Sequence, residues 1–192
     1  CIRDSAVTVS HQARTAGVVQ TFLKRHLMSA NLLIEDHAKW RQGSGGAKAG
    51  VSGMSDASSY TRLDLGLITI TDTRFMGSGF TLINFEQAQI SASQFASCQF
   101  IDCDFSQTGI SGSQFQKCAF TRCKFPRSIL SSTVFSHCTF QDVVFEQGNW
   151  QDIKLADCQG DQVNAKQLTG KGVSFLGTSF KTAFFDGCNL VP

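Results

Sequence analysis

Large apolar residues recur at every fifth position along most of this 192-residue chain. The series runs from Tyr60 to Leu155 and resumes in the same frame from Phe175 to Leu190. Of the 17 Phe residues, 15 fall in this frame, whereas chance would place about one in five there. Neither the period of a helix nor that of a strand sustains this spacing. The chain must therefore turn a corner every five residues.

A second inward-facing set lies two residues before each large residue and consists of small or medium side chains. Both sets also repeat every four five-residue segments, that is, every 20 residues. Aliphatic residues fill most of the large positions in every fourth segment, and mostly Phe fills those of the other three. This column of every fourth large position contains the aliphatic residues Ile70, Ile90, Ile110, Leu130 and Leu190 and, at one position, Trp150. A pattern that returns at every fourth segment predicts four sides per coil, with like residues stacked on like.

Three segments show the motif x-x-C-x-F: residues 96–100 (ASCQF), 116–120 (QKCAF) and 136–140 (SHCTF). In these segments the chain resembles the pentapeptide-repeat family, and the resemblance extends over about two thirds of the chain. It implies an all-β solenoid, a right-handed quadrilateral (four-sided) β-helix. Nearly seven coils at the usual strand spacing of about 4.8 Å would form a rod about 30 Å long.

The pattern is helical between residues 15 and 41, where apolar residues recur at spacings of three and four. The stripe contains Val19, Phe22, Leu23, Leu27, Ala30, Leu33 and Ile34. A Gly-rich stretch, 43–50, then predicts a flexible linker. We predict two parts: an amino-terminal helical segment with its linker, residues 1–57, and the pentapeptide-repeat β-helix, residues 58–192.

The amphipathic helix requires an apolar partner, and three partners are open from the sequence. It could cap the first coil, because solenoid ends expose core and backbone edges. It could bind another protein or a second copy through Val19, Phe22, Leu23, Leu27, Leu33 and Ile34. It could also lie on a membrane surface.

Between residues 156 and 170, the large and small residues exchange their usual positions. Gly160, Ala165 and Gly170 occupy the large positions, and Val163 and Leu168 occupy the small ones. Because the frame resumes unshifted, we predict a continuous, distorted coil, with a surface bulge as the alternative.

The chain lacks the patterns of catalytic and metal sites. Seven of its eight Cys residues occupy inward positions, where they replace Ala, Ser or Thr and behave as small apolar residues. No Cys-x-x-Cys pair, nucleophile motif or phosphate-binding loop is present. We predict no catalytic residue, no metal site and no cofactor, and hence no enzyme.

One basic cluster falls at outward positions: Lys117, Arg122, Lys124 and Arg127. It is a candidate partner-binding surface, and the alternative is an ordinary solvated patch. The balance of Lys and Arg against Asp and Glu is +3 for residues 1–57 and −1 for residues 58–192. Neither part resembles a nucleic-acid binder or a polyanion, so direct nucleic-acid binding is not expected.

Three functions fit these features. The first is a non-enzymatic interaction scaffold for an unidentified protein partner, such as a module of a bacterial secreted effector or assembly. The second, suggested by the family, is a DNA mimic that protects a type II topoisomerase; the near-neutral repeats oppose it. The third is an envelope lipoprotein anchored through Cys1. We expect a cytoplasmic or delivered protein, with an anchored location and a homodimer as further options. The chain has no apolar run long enough for a transmembrane helix.

Overall fold

The computed structural model describes residues 29–192, which form one helix and 22 strands. The predicted helical residues Val19, Phe22, Leu23 and Leu27, and the proposed anchor Cys1, lie outside the described residues. The described helix is α1, Ala30–Arg41. A turn and a short extended segment connect it to the first strand at Gly50.

The strands form three parallel sheets, and each sheet is one face of the solenoid. Face 1 consists of β1 (Gly50–Ser52), β4 (Thr69–Thr71), β7 (Gln89–Ser91), β10 (Gly109–Ser111), β13 (Ile129–Ser131), β16 (Asn149–Gln151), β19 (Thr169–Lys171) and β22 (Asn189–Val191). Face 2 consists of β2 (Ser55–Asp56), β5 (Arg74–Met76), β8 (Gln94–Ala96), β11 (Gln114–Gln116), β14 (Val134–Ser136) and β17 (Lys154–Ala156). Face 3 consists of β3 (Ser59–Thr61), β6 (Gly79–Thr81), β9 (Gln99–Ile101), β12 (Ala119–Thr121), β15 (Thr139–Glu146), β18 (Gln159–Lys166) and β20 (Ser179–Phe180).

Face 4 closes each coil and is held mostly by isolated parallel bridges rather than by a sheet. The bridges join Asp64, Asn84, Asp104, Lys124 and Val144 in sequence. Towards the carboxyl end, β15 and β18 continue around the corner onto face 4, where β21 (Ala183–Asp186) pairs with β18.

From the second coil onward, each strand residue pairs with the residue 20 positions later, which is one full coil of four sides. Examples are Phe80 with Phe100 and Phe115 with Phe135. Sides of five residues and coils of four sides confirm the predicted four-sided parallel β-solenoid. The 20-residue period of the sequence is therefore the length of one coil, and it places like residues on top of each other in successive coils.

The core is a set of aromatic columns. Tyr60, Phe80, Phe100, Phe120 and Phe140 stack with ring centroids 4.8 to 5.3 Å apart. Rings on adjacent faces meet edge to face, which is the arrangement that aromatic quadrupoles prefer. A large residue is therefore needed at every fifth position because each ring packs against rings above, below and beside it.

Nearly every corner has a left-handed backbone conformation. From Tyr60 onward, the residue two positions after the large position has positive φ at every corner except Thr182, and at 20 corners it is not glycine. At one such corner, Ala92 has φ 49° and Gly112, one coil later, has φ 55°. The corner amide donates to the next coil, as in Ala92 N to Ser111 O at 2.9 Å. Because L-residues strain in this conformation, this hydrogen bond offsets part of the cost.

The first coil is one residue shorter than the others. Val51 pairs with Ile70 and Asp56 pairs with Phe75, so each partner lies one position nearer in the sequence than in later coils. The solenoid thus begins at Gly50, within the segment that the sequence division assigned to the helix and linker. Asp56 occupies the position that Phe or Leu occupies in later coils. Its carboxylate accepts hydrogen bonds from the hydroxyls of Tyr60 at 2.9 Å and Ser58 at 2.8 Å.

Helix α1 covers part of the amino-terminal end of the solenoid. Its Ala30, Ile34 and Ala38 are buried in the common core, and Leu33 packs against it. His37 is fully buried; its Nε2 lies 2.9 Å from Gly66 O, and its Nδ1 accepts from Ala49 N at 3.1 Å. Because Nδ1 accepts, Nε2 carries the proton and donates to Gly66. The described part of the helix is therefore a cap.

The coil at 156–170 is continuous. Phe140 pairs with Gly160 and Trp150 pairs with Gly170 in unbroken register, so no bulge is present there. The missing volume is filled from the next coil, because a Cβ on Gly160 would lie 2.5 Å from Cδ1 of Phe180. A cavity of about 10 Å³ remains beneath Trp150.

The carboxyl-terminal coil exposes its apolar side chains. Phe185 is 45% exposed and Phe175 is 36% exposed, whereas the Phe residues at the same frame positions of the earlier coils are at most 5% exposed. Packing density therefore falls along the rod towards residue 192.

Candidate partner-binding surfaces

The thiols are enclosed in the core. Cys98, Cys118, Cys138 and Cys158 form one vertical column, and Cys103 and Cys123 form a second, all at 0 to 1% exposure. Each Sγ lies within hydrogen-bonding distance of two backbone carbonyl oxygens, for example Cys118 Sγ at 3.3 Å from Phe95 O. The thiols are thus hydrogen-bonded parts of the structure.

The hydrogen bond with the Cys123 thiol, together with burial, raises the pKa of Cys103. Hydrogen bonds with neighbouring thiols and burial likewise raise the pKa of Cys118. A thiol with a raised pKa supplies little of the thiolate that reacts with electrophiles and metals. Within residues 29–192, no cluster of three or more His, Cys, Asp or Glu residues could hold a metal ion.

The four basic residues singled out in the sequence lie around one coil rather than on one face. Lys117, Arg122 and Arg127 occupy three successive corners, and Lys124 lies on face 4. Arg122 makes a two-pronged ion pair with Asp102 of the preceding coil, with Nε–Oδ1 at 2.7 Å. Lys124 Nζ lies 2.9 Å from Asp104 Oδ2. Their use as a partner-binding surface stays a prediction.

Several acidic side chains on faces 3 and 4 are paired with bases of the adjoining coil or of α1. Hydrogen bonding from Arg122 lowers the pKa of Asp102. Burial opposes ionisation of Asp64, but the Gly66 amide and the Arg41 guanidinium outweigh it and lower the pKa of Asp64. Asp161 faces Lys181 at 3.6 Å. The described residues therefore form a series of ion pairs along this side.

Faces 1 and 2 of the three middle coils differ from faces 3 and 4 in charge. Residues 89–97, 109–117 and 129–137, which form faces 1 and 2, contain one charged residue, Lys117. Faces 3 and 4 of the same coils contain seven: Asp102, Asp104, Arg122, Lys124, Arg127, Asp142 and Glu146. We call residues 89–97, 109–117 and 129–137 the neutral double face.

Most side chains on the neutral double face are short and polar; the exposed Ile129 and the half-buried Val134 are apolar. Ser91, Ser111 and Ser131 form one row at strand spacing, and Gln94 and Gln114 form another on the adjoining face. A three-residue strand gives a face about 10 Å wide, so one face of the rod offers about 300 Å². A stable interface needs about 800 Å² per partner. Two adjoining faces offer about 600 Å², so a partner must contact at least two faces.

The neutral double face was not among the predicted sites, although the sequence carries a signal for it. When the outward residues of the three middle coils are aligned by the 20-residue period of one coil, the charged residues fall almost entirely on faces 3 and 4 and not on faces 1 and 2. The placement of α1 beside the first strands could not be obtained in this way, because no repeat links a helix to a particular face.

The architecture defines a class: a four-sided, parallel β-solenoid with stacked aromatic columns. Residues 110–160 match the family model described as pentapeptide repeats, in eight copies. This match confirms, over residues 110–160, the resemblance to the pentapeptide-repeat family noted in the sequence. The residues that the structure describes include no helix long and apolar enough to cross a membrane.

Three solved structures illustrate the similarity. Full-length QnrB1, a plasmid-mediated fluoroquinolone resistance protein, is 16% identical, with 73% of this chain and 91% of that chain covered and a TM-score of 0.38. Rfr23, a pentapeptide repeat protein from the cyanobacterium Cyanothece 51142, is 15% identical, with 45% and 59% covered and a TM-score of 0.37.

HetL, a pentapeptide repeat protein involved in heterocyst differentiation regulation from the cyanobacterium Nostoc sp. strain PCC 7120, is 11% identical. It covers 78% of this chain and 92% of its own length at a TM-score of 0.30. A search of curated proteins found no match. At these identities and scores, the three structures carry no argument about the role of this chain.

Proposed function

We propose that this protein is a non-enzymatic interaction scaffold that presents its neutral double face to a protein partner. One observation carries the proposal: charge is nearly absent from two adjoining faces of the middle coils and dense on the other two. Interface cores are depleted in charged residues, because charges are costly to desolvate.

The rest of the structure supports a binding role by its rigidity. Ring stacks, a ladder of backbone hydrogen bonds at each coil and buried hydroxyls and thiols hold the outward side chains in fixed positions. A rigid surface loses little conformational entropy when it binds, so more of the contact energy appears as affinity.

The proposal is tested by adding charge to one side at a time. Gln114→Glu with Gln116→Glu places two carboxylates on exposed positions of the neutral double face. Gln99→Glu with Gln107→Glu makes the same change at exposed positions of faces 3 and 4. A protein captured by the full chain is identified by mass spectrometry, purified, and titrated against each variant.

The first pair should weaken binding at least tenfold, and the second pair should leave it unchanged. Equal effects of the two pairs would contradict the assignment of the surface. Failure of every captured protein to bind the purified chain would contradict the scaffold role itself.

The topoisomerase alternative depends on a DNA-like negative surface. The ion pairs of Asp102 with Arg122 and of Asp104 with Lys124 neutralise acids on the most charged side of the rod. Steering towards a DNA-binding surface requires a strong field of one sign, so the charge arrangement favours the scaffold. A supercoiling assay in which this protein protects the enzyme from a quinolone would reverse that preference.

A further inference from the structure

Among residues 29–192, the first strand of face 3 has one edge without a partner. Within this part of the chain, β3 ends the sheet and pairs only with β6. Its ladder uses Ser58 O, which accepts from Gly79 N at 3.1 Å, and Arg62 N, which donates to Thr81 O at 2.9 Å. Alternate residues of a strand direct their backbone groups to opposite sides.

The N–H and C=O groups of Ser59 and Thr61 therefore point away from β6. Among residues 29–192, no hydrogen-bond partner is present for these four groups. Both residues are exposed, so the groups face solvent rather than the core. An edge of this kind is a template for a further strand.

Helix α1 turns this edge into one wall of a groove. The helix packs on β1 and β2, the first strands of faces 1 and 2, and leaves an open groove of about 350 Å³ beside β3. The groove is lined by Glu35, Ala38, Lys39, Gln42, Ser59, Tyr60, Thr61 and Leu63. At its base lie the buried Ala38 and Tyr60 and the half-buried Leu63. Its rim is polar and exposed.

We propose that this groove receives an extended segment of a partner protein, which adds to face 3 as a strand beside β3. The inference rests on the proposed interaction role and gives the solenoid a second contact, at its amino-terminal end. Strand addition satisfies the free N–H and C=O groups of Ser59 and Thr61, and main-chain hydrogen bonds supply the affinity in such complexes.

The groove also specifies the chemistry of the segment. A strand of about three residues matches β3, and its middle side chain would face the base formed by Ala38, Tyr60 and Leu63. Glu35 and Lys39 lie one helical turn apart on the helix wall with opposite charges, so a segment without net charge fits. We expect a small or medium apolar residue between two polar, uncharged ones.

A partner helix would not satisfy the edge, because the backbone groups of a helix are already paired internally. A nucleic acid would require a basic groove, whereas this lining contains one Lys and one Glu. The edge and the charge balance therefore both favour an extended peptide.

The test is a selection of ten-residue peptides from a random phage-displayed library against the immobilised full chain. Enriched peptides are synthesised and titrated against the wild type, Thr61→Pro and Thr61→Val. Proline removes the outward N–H of Thr61, and its ring blocks an added strand; edge strands tolerate proline because this N–H is not used in the sheet. Valine keeps the N–H and the shape of the side chain.

Thr61→Pro should weaken peptide binding at least tenfold with an unchanged melting temperature, and Thr61→Val should bind like the wild type. Hydrogen exchange should show that the bound peptide protects the amides of Ser59 and Thr61. Equal affinity for Thr61→Pro, or no such protection, would overturn the proposal, as would failure to enrich any peptide.

Protection of both amides in the free protein would also overturn it. Protection independent of protein concentration would assign the edge to the chain's own amino-terminal residues, and protection that grows with concentration would assign it to a second copy. A partner that binds the neutral double face and is insensitive to Thr61→Pro would leave the scaffold role intact and exclude only this groove.

Discussion

Single residues at the corners carry strain that the rest of the coil must offset. Ala92 and Gly112 occupy the same corner in successive coils, both with positive φ, and a Cβ on Gly112 would meet nothing closer than 3.9 Å. The two positions therefore differ in backbone preference and not in packing.

We predict that Ala92→Gly raises the free energy of unfolding by about 0.5–1 kcal/mol and that Gly112→Ala lowers it by a similar amount. The left-handed conformation strains alanine by more than glycine loses in unfolded-state entropy. Urea denaturation measures both changes, and the double variant should return to the wild-type value. A loss of stability in Ala92→Gly would show that the corner is not strained.

The buried thiols give a second prediction at this scale. In the native protein, the six thiols in the two columns, Cys98 to Cys158, should not react with a neutral aromatic disulfide reagent, because they are enclosed and hydrogen-bonded to carbonyls. Cys188 is partly exposed and should react first among the described thiols. Labelling followed by peptide mass spectrometry, with a urea-unfolded control, checks this order. Fast labelling of Cys118 in folded protein would contradict it.

The inward residues were predictable from sequence because they recur at the length of one side, five residues, along each coil. Phe75, Phe100 and Phe125 can face the same interior only if each side spans five residues. The ion pair between Arg122 and Asp102 was not predicted, since it depends on which outward side chains meet at a corner. The backbone groups of Ser59 and Thr61, which have no partner among residues 29–192, were also not predicted, because a sequence does not show where a sheet begins.

At the scale of elements, α1 is attached to the solenoid by polar contacts as well as by its apolar side. His37 joins the helix to Gly66 on face 4 and to Ala49 before β1. Arg41 Nε lies 3.1 Å from Asp64 Oδ2. These contacts explain why the helix lies at the amino-terminal end and not along a face.

Replacing His37 with Leu should lower the free energy of unfolding by about 2–4 kcal/mol, since Gly66 O and Ala49 N–H would each lose a buried partner. Replacing the exposed Lys39 with Leu is the matched control and should have little effect. Thermal denaturation gives the overall loss. Limited proteolysis should place the first new cleavage near residues 42–49, and unchanged cleavage would argue against the cap.

The pairing of Asp64 predicts a pH dependence. Its pKa is lower in the folded state than in the unfolded chain, so its contribution is complete above the unfolded value of about 3.9. That contribution is lost as the pH falls through the lower folded value. Asp64→Asn should be less stable than the wild type at neutral pH, and the two should converge in strong acid. Denaturant titrations across that range test this, and parallel curves would contradict it.

At the scale of the whole molecule, stability should decline towards the carboxyl end. Gly160, Ala165 and Gly170 remove a layer of large side chains, and the last coil leaves the inward residues Phe175 and Phe185 exposed. In a solenoid each coil is stabilised only by its neighbours, so the weakness stays local.

We therefore predict that amide exchange is slowest in coils 79–150 and fastest in 174–192, with intermediate rates between them. Hydrogen exchange read by mass spectrometry at neutral pH provides the profile. Uniform protection along the rod would mean that it opens as one cooperative unit, despite the small residues at Gly160, Ala165 and Gly170. Filling that layer with Ala165→Val should slow exchange in 174–192 if the ring of Phe185 can move outward.

The constant sequence offset between paired strands also bears on how the chain reaches this structure. Every inter-coil pairing after the first closes a loop of the same short length, so the entropic cost of adding a coil does not grow as the rod lengthens. Average sequence separation relative to chain length falls with each added coil, which favours fast folding. We expect the slow event to be the first pairing of two coils, with the remainder assembling by successive addition from that nucleus.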